Sequence, residues 1–290
     1  MGYSRKTYIT PVGKYVEEYH TGRNCPKGGK RGPKKVRTPE EIQKNNQRIK
    51  ERNIQLLLMN NFMENDYFAT LTYRKENRPS DMKEAKEDMA KAIRVIRREY
   101  QKAGEELKWI CNIEKGSRGG WHIHLAINRI QDTDIILAKA WRDIHGGVHT
   151  TLLYEQGGFR KLANYFAKRQ QDEDKEDKQE SGYSRSRNLE MPKVEKKEIK
   201  RWDTWKESIR EPKGYVLDKE SVEEGYTRMG YPYRRYLLMA QEGRRRNGSP
   251  PVRGGVKRSA QKVPKKGGLR AGSRRKGRKA SGDDHGSHQN

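Results

Sequence analysis

Cysteine is nearly missing from this chain: Cys25 and Cys111 are the only two in 290 residues. Neither a disulfide scaffold nor a cysteine-zinc module is therefore indicated. No apolar run approaches the roughly 20 residues that span a bilayer. The N-terminus lacks the apolar core of a signal peptide, so the chain reads as cytosolic. No G-x-x-x-x-G-K-[ST] phosphate loop occurs, and no ATP-driven motor is encoded by that motif. Hydrophobic residues make up only 31%, against roughly 45–50% apolar in typical domains. Part of the chain should thus lie outside any packed core.

Positive charge is what the chain has in excess. The formal net charge is +26 and the pI is near 10.0. That points to a polyanionic partner, nucleic acid first and an anionic membrane surface second. Residues 1–38 read as a poorly ordered basic arm, most basic over Gly28–Lys35. Residues 171–200 are highly charged and read as a solvated linker. Residues 201–242 regain aromatics and form a small appendage, packed back on the domain or offering stacking surfaces to single-stranded bases. From Gly243 to Gly282 there are 15 Lys or Arg and no Asp or Glu. Such a tail, 243–290, should not fold alone and should add sequence-independent affinity for nucleic acid. Arg244, Arg245 and Arg246 open it.

The stretch from Trp109 to Ile127 organises the rest. Two β-prone runs flank a Lys115–Gly120 connector holding three glycines, which predicts a β-hairpin. Side chains alternate faces along a strand. Burying the apolar faces together puts Glu114, His122 and His124 on one side. Two imidazoles and a carboxylate there make a three-ligand site for a divalent metal with open positions. Polar residues on the wet face of an ordinary sheet would look similar. The His-apolar-His step with an acid across the hairpin favours the site.

Around the hairpin the pattern predicts a helix over 39–62, opened by a Thr38–Glu41 capping box, with Ile42, Ile49, Leu56 and Met59 inward. A strand follows over 67–73, then a helix over 80–103. After the hairpin come a helix over 132–144 burying Ile135, Ile136, Ala140 and Trp141, a strand over 148–154 and a helix over 158–170. Tyr165 and Lys168 are three apart on the last helix and so share a face. Arg160, Lys161 and Arg169 on the same helix are candidate nucleic-acid contacts. The order β-α-β-β-α-β-α predicts an α+β fold: an antiparallel sheet with packed helices, ferredoxin-like or RRM-like, over residues 39–170.

Three segments in order, Phe68-Ala69-Thr70-Leu71-Thr72, His122-Ile123-His124 and Tyr165-Phe166-Ala167-Lys168, resemble the motifs of the HUH endonucleases. In particular they resemble the single-tyrosine rolling-circle replication initiators of plasmids and small or filamentous phages. The resemblance covers about residues 40–170. It implies an HUH nuclease fold in which Glu114, His122 and His124 hold Mg²⁺ or Mn²⁺ against the scissile phosphate of single-stranded DNA at a replication origin. It implies Tyr165 as the nucleophile, forming a 5′-phosphotyrosine link and freeing a 3′-OH. Lys168 would assist, by favouring phenolate or steadying phosphate charge. A host helicase would open the duplex and a host DNA polymerase would extend the 3′-OH, in the cytoplasm of a bacterial host.

Other readings remain. His145 or His149 would serve as third ligand if Glu114 were structural. Tyr154 and Tyr183 are possible second nucleophiles. A single-tyrosine transposase of the same superfamily would share the site residues. A non-catalytic RRM-like binding protein would instead carry aromatic platforms on its central strands, a role open to Tyr67 and Phe68.

Overall fold

The computed structural model describes residues 2–21, 38–116, 119–153, 156–168, 182–227 and 230–241. They belong to one unit, Met1–Gly254; a second, Gly255–Asn290, lies outside the described residues. In chain order come β1 (Tyr3–Ile9), β2 (Gly13–Tyr19), α1 (Pro39–Asn61), β3 (Tyr67–Thr72), α2 (Met82–Lys102), β4 (Trp109–Lys115), β5 (Trp121–Ile127), α3 (Thr133–Leu137), β6 (Val148–Leu152), α4 (Arg160–Ala167), β7 (Tyr183–Arg185), β8 (Lys193–Ile199), β9 (Tyr215–Tyr226) and β10 (Pro232–Ala240). The fold is α+β, with two five-stranded antiparallel sheets.

The first sheet runs β6-β3-β5-β4-β7. Its first four strands with α2 and α3 have the split β-α-β order of ferredoxin-like folds. Alternation decides its two faces. Ala69, Leu71, Cys111, Ile113, Ile123 and Leu125 face α2 and are almost wholly buried. α2 meets them with Ala85, Met89, Ile93, Ile96 and Tyr100 at helical spacing. Asp81 opens α2 by accepting from the Glu84 N–H at 2.8 Å. On the opposite face Phe68, Ile110 and Ala126 pack under α1 and α4.

α1 starts at the expected capping box: Glu41 N–H donates to Thr38 Oγ1 at 3.2 Å, and Thr38 N–H to Glu41 Oε2 at 3.3 Å. Its stripe is shorter than the periodicity suggests. Leu56 and Met59 are buried, but Ile42 and Ile49 are 44% and 43% exposed. The core that receives this helix reaches only its C-terminal half, from Ile54 onward. Similarly, Ile135 is 63% exposed rather than inward, because α3 gives way after Leu137 to a wider turn over Ala138–Arg142.

The second sheet runs β8-β1-β2-β10-β9. Three expectations about the segments that flank the hairpin domain are corrected. The basic arm of 1–38 contains the β1–β2 hairpin, closed by Thr10-Pro11-Val12-Gly13, where Thr10 Oγ1 donates to Gly13 O at 2.8 Å. The linker of 171–200 contains β7 and β8. The appendage of 201–242 supplies β9 and β10, which complete a sheet begun at the other end of the chain. Tyr8, Tyr15 and Leu237 from this sheet join the core around α1 and α4. The layer of α1 and α4 is thus held between the two sheets. Tail residues 243–290 lie outside the described residues. Among the described residues, no helix is long and apolar enough to cross a membrane.

Candidate active site

The β4–β5 hairpin raises the expected side chains on one face. Register sets Glu114 opposite His122 and Asn112 opposite His124. β3 sets Thr70 opposite His124 and Thr72 opposite His122. The connector closes through Gly116 N–H donating to Gly120 O at 2.7 Å.

α4 brings the tyrosine to that face. Two successive residues before it have positive φ, Gly158 at 55° and Phe159 at 59°. A Cβ on Gly158 would stand 2.9 Å from Leu237 Cδ1 and 3.3 Å from Met59 Sδ, so the position calls for glycine on both counts. Phe159 bears a left-handed conformation that costs about 1–3 kcal/mol, offset by burying its ring to 2% exposure. Gln55 Nε2 donates to Gly158 O at 3.0 Å and pins the start of α4. Gln47 Nε2 and Lys50 Nζ donate to Ala167 O at 3.1 and 3.2 Å and pin its end.

The result is a tight cluster. Tyr165 Oη donates to Glu114 Oε1 at 2.8 Å, and His124 Nε2–H donates to the same oxygen at 3.0 Å. The Tyr165 ring stands edge-on to His124, centroids 4.8 Å apart. Phe68 stacks on His124 at 5.8 Å and 12°. Thr70 Oγ1 lies 3.3 Å from His124 Nδ1. With Nε2 carrying its hydrogen to Glu114, Nδ1 of a neutral ring accepts from the Thr70 hydroxyl. Moving the ring hydrogen from Nε2 to Nδ1, the other neutral tautomer, would reverse that bond and leave Nε2 free as a ligand.

Charges follow from these contacts. The His124 hydrogen bond holds the Glu114 carboxyl at about 2; the Tyr165 hydrogen bond, the charge of Lys168 and that of the His124 ring when it is protonated add to it, against the opposing effect of burial. Burial pushes the Tyr165 phenol well above its ordinary 10.0, and the Glu114 hydrogen bond and charge push the same way. Tyr165 is therefore a neutral hydrogen-bond donor in this arrangement.

Lys168 departs from expectation. α4 ends at Ala167, and Lys168 leaves the helix at φ −53°, ψ 134°. It is not a same-face helical neighbour of Tyr165; its charge acts on Glu114 instead. Arg160 Nη1 donates to Glu220 O at 2.6 Å, tying α4 to β9. Lys161 is exposed. Arg169, Arg244, Arg245, Arg246 and Tyr154 lie outside the described residues.

Among the described residues, no group of three or more His, Cys, Asp or Glu is set to hold a metal ion. Glu114 and His124 are bonded to each other, and the His122 ring centre is 6.4 Å from that of His124. His122 Nε2 lies against the glycine connector: a Cβ on Gly116 would come within 3.3 Å of it and one on Gly120 within 3.6 Å. His149 pairs with Thr70 and so shares the site face. His145 does not; it packs on Trp141 at 4.5 Å and stands 3.8 Å from Asp88. Tyr183 pairs with Asn112 on the site face, its phenol pushed up to about 12 chiefly by burial. Sequence reasoning did not single out Thr70 and Phe68 as partners of His124. Their place on the same strand face was the available signal.

Residues 66–174 match the family described as Replication-associated protein ORF2/G2P. The matched segment runs from just before β3 to beyond α4 and contains Glu114, His122, His124, Tyr165 and Lys168. It is less than half of the 290 residues, and it relates this part of the chain to replication-associated proteins. No curated protein and no solved structure matches the chain.

Proposed function

We propose that this chain initiates DNA replication by nicking single-stranded DNA at an origin and later rejoining it, with Tyr165 as the nucleophile. The observation that carries this reading is the meeting of Tyr165 from α4 with Glu114 and His124 from the hairpin, at 2.8 and 3.0 Å around one carboxylate oxygen. It lies inside the segment that resembles replication-associated proteins.

Glu114, His122 and His124 are the residues that would hold Mg²⁺ or Mn²⁺. The donor set suits a divalent ion with open positions, and the glycine connector leaves room at His122 Nε2. Bound there, the ion would polarise the phosphoryl oxygens and offset transition-state charge. Tyr165 Oη attacks phosphorus and the bond to the 3′ oxygen breaks. The 5′ phosphate stays esterified to Tyr165; the phenol gives up its proton and the leaving 3′ oxygen takes one. Glu114 orients the phenol until that step. When Glu114 turns to other contacts, the hydrogen bond that keeps the phenol neutral is lost. Lys168, exposed beside Glu114, steadies phosphate charge. The ester conserves the bond energy, so rejoining needs no ATP. The freed 3′-OH primes a host polymerase, with a host helicase opening the duplex in the bacterial cytoplasm.

A non-catalytic RRM-like role fits less well. Phe68 is packed against Phe166 and His124 beneath α4, not offered as a platform. Tyr67 lies on the opposite face, with Arg129 over its ring at 5.0 Å.

The test is a covalent-adduct assay. Protein, Mn²⁺ or Mg²⁺ and labelled origin hairpins are mixed and run on a denaturing gel. A metal-dependent shifted band, absent in Tyr165→Phe and His124→Ala, is expected. A band that survives Tyr165→Phe would move the nucleophile to another residue, Tyr183 or Tyr154 first.

A further inference from the structure

The outer face of the second sheet carries a feature that nicking does not use. The segment between β8 and β9 folds back over it and leaves a cavity of about 540 Å³. The roof is anchored. Arg234 Nη1 donates to the carbonyls of Lys206 and Glu207 at 2.7 and 3.0 Å. Trp205 stands edge-on to Tyr3 at 5.7 Å, and His20 bonds Thr204 at 3.2 Å.

The lining is strongly basic. Six of its side chains are Lys or Arg and one, Glu195, is acidic. At the floor, Arg5 and Arg234 share the fully buried Glu18, at 2.6 and 2.7 Å. Two guanidiniums on one carboxylate leave positive charge beneath the cavity; among the described residues, the exposed Glu224 stands 3.9 Å from Arg234. Lys197, Lys206 and Arg210 stand exposed around it. At the mouth, Trp202 is 50% exposed, with Arg201 and Lys206 over its ring at 5.4 and 5.6 Å.

We infer that this groove binds single-stranded nucleic acid, its phosphates along Lys197, Lys206 and Arg210 and a base stacked on Trp202. A basic groove with an exposed aromatic at its edge is how such strands are held without reading sequence. The charge is recessed as well as rimmed: Arg5 keeps 39% of its side chain exposed at the floor. A flexible strand can enter such a recess, whereas a bilayer surface would touch only the rim. The site is separate from Tyr165 and does not depend on the nicking reading.

The test uses the full-length Tyr165→Phe protein, so that binding is measured without cleavage at that residue. Labelled oligothymidylate is titrated over a range of salt concentrations and followed by anisotropy. Lys197→Ala, Lys206→Ala and Arg210→Ala combined should lower the slope of log affinity against log salt by about 2, from roughly 0.7 per lost phosphate contact. Trp202→Ala should weaken binding about fivefold or more with little change in slope. All four positions are exposed, and unchanged melting curves would establish that the variants fold. Unchanged affinity and slope in both variants would overturn the inference. So would equal losses on duplex DNA with Trp202→Ala silent, or loss of binding to phosphatidylserine vesicles alone while oligothymidylate binding stays.

Discussion

Replacing Glu114 by Gln removes a charge while keeping the shape that Tyr165 and His124 grip. The magnitude comes from the carboxyl's fall from 4.5 to about 2. At 1.36 kcal/mol per unit, that is at most about 3 kcal/mol of folding stability. The side chain is 25% exposed, and solvent screening reduces the expected loss to about 1–2 kcal/mol at pH 7. The sign follows from a depressed folded value. The folded protein keeps Glu114 ionised where the unfolded chain has protonated it. Stabilisation is complete above about pH 4.5 and is lost as pH falls toward 2. Urea unfolding with a chelator present, at pH 7 and pH 3, reads this directly. The wild type should exceed Glu114→Gln by about 1–2 kcal/mol at pH 7 and by clearly less at pH 3. A gap that stays constant between those pH values would refute the claim that this carboxylate holds both donors.

Further outcomes follow from the same contacts. Tyr165→Phe should abolish the covalent adduct yet cost only about 1 kcal/mol in urea unfolding, the net worth of one hydrogen bond. Thr70→Val removes the group that fixes the His124 ring, and Mn²⁺ affinity read by thermal shift should fall about 10–100-fold. Arg234→Met strands the buried Glu18 with only Arg5 and uncouples the roof, and should cost about 3–5 kcal/mol. Gly158→Ala puts a methyl into Leu237 in a left-handed backbone; about 2–4 kcal/mol of lost stability is expected, with adduct formation slowed by misplacement of α4.

The hairpin, its two histidines and the helix with Tyr165 were legible because period-2 and period-3.6 patterns survive where an apolar face is buried. The second sheet was not legible. In β1 and β2 charged side chains take places that apolar ones would fill, Glu18 paired with Arg5 and Glu17 with Arg52 and Arg235. β8 lies at an edge with nearly every side chain exposed, so it keeps no alternation. Its partner β1 lies at the opposite end of the chain, and no local window shows that pairing. Lys168 was misplaced for a different reason. The helix pattern continues past Ala167, but the carbonyl there is taken by Gln47 and Lys50, and the chain turns away.

The late strands bear on the chemistry through one contact. Leu237 of β10 and Met59 of α1 press on Gly158, where the chain bends into α4. Arg160, the first residue of that helix, is bonded to β9. The direction of α4 is therefore set partly by a sheet that begins at Tyr3 and ends at Ala240. Tyr165 must reach a carboxylate oxygen 2.8 Å away, and small shifts of a helix cost reactions heavily when the reacting atoms must meet at about 3 Å. The segment that resembles replication-associated proteins contains Glu114, His122, His124, Tyr165 and Lys168 but not the surface that aims the tyrosine. A fragment cut to that segment should retain the histidine hairpin and lose the alignment of Tyr165.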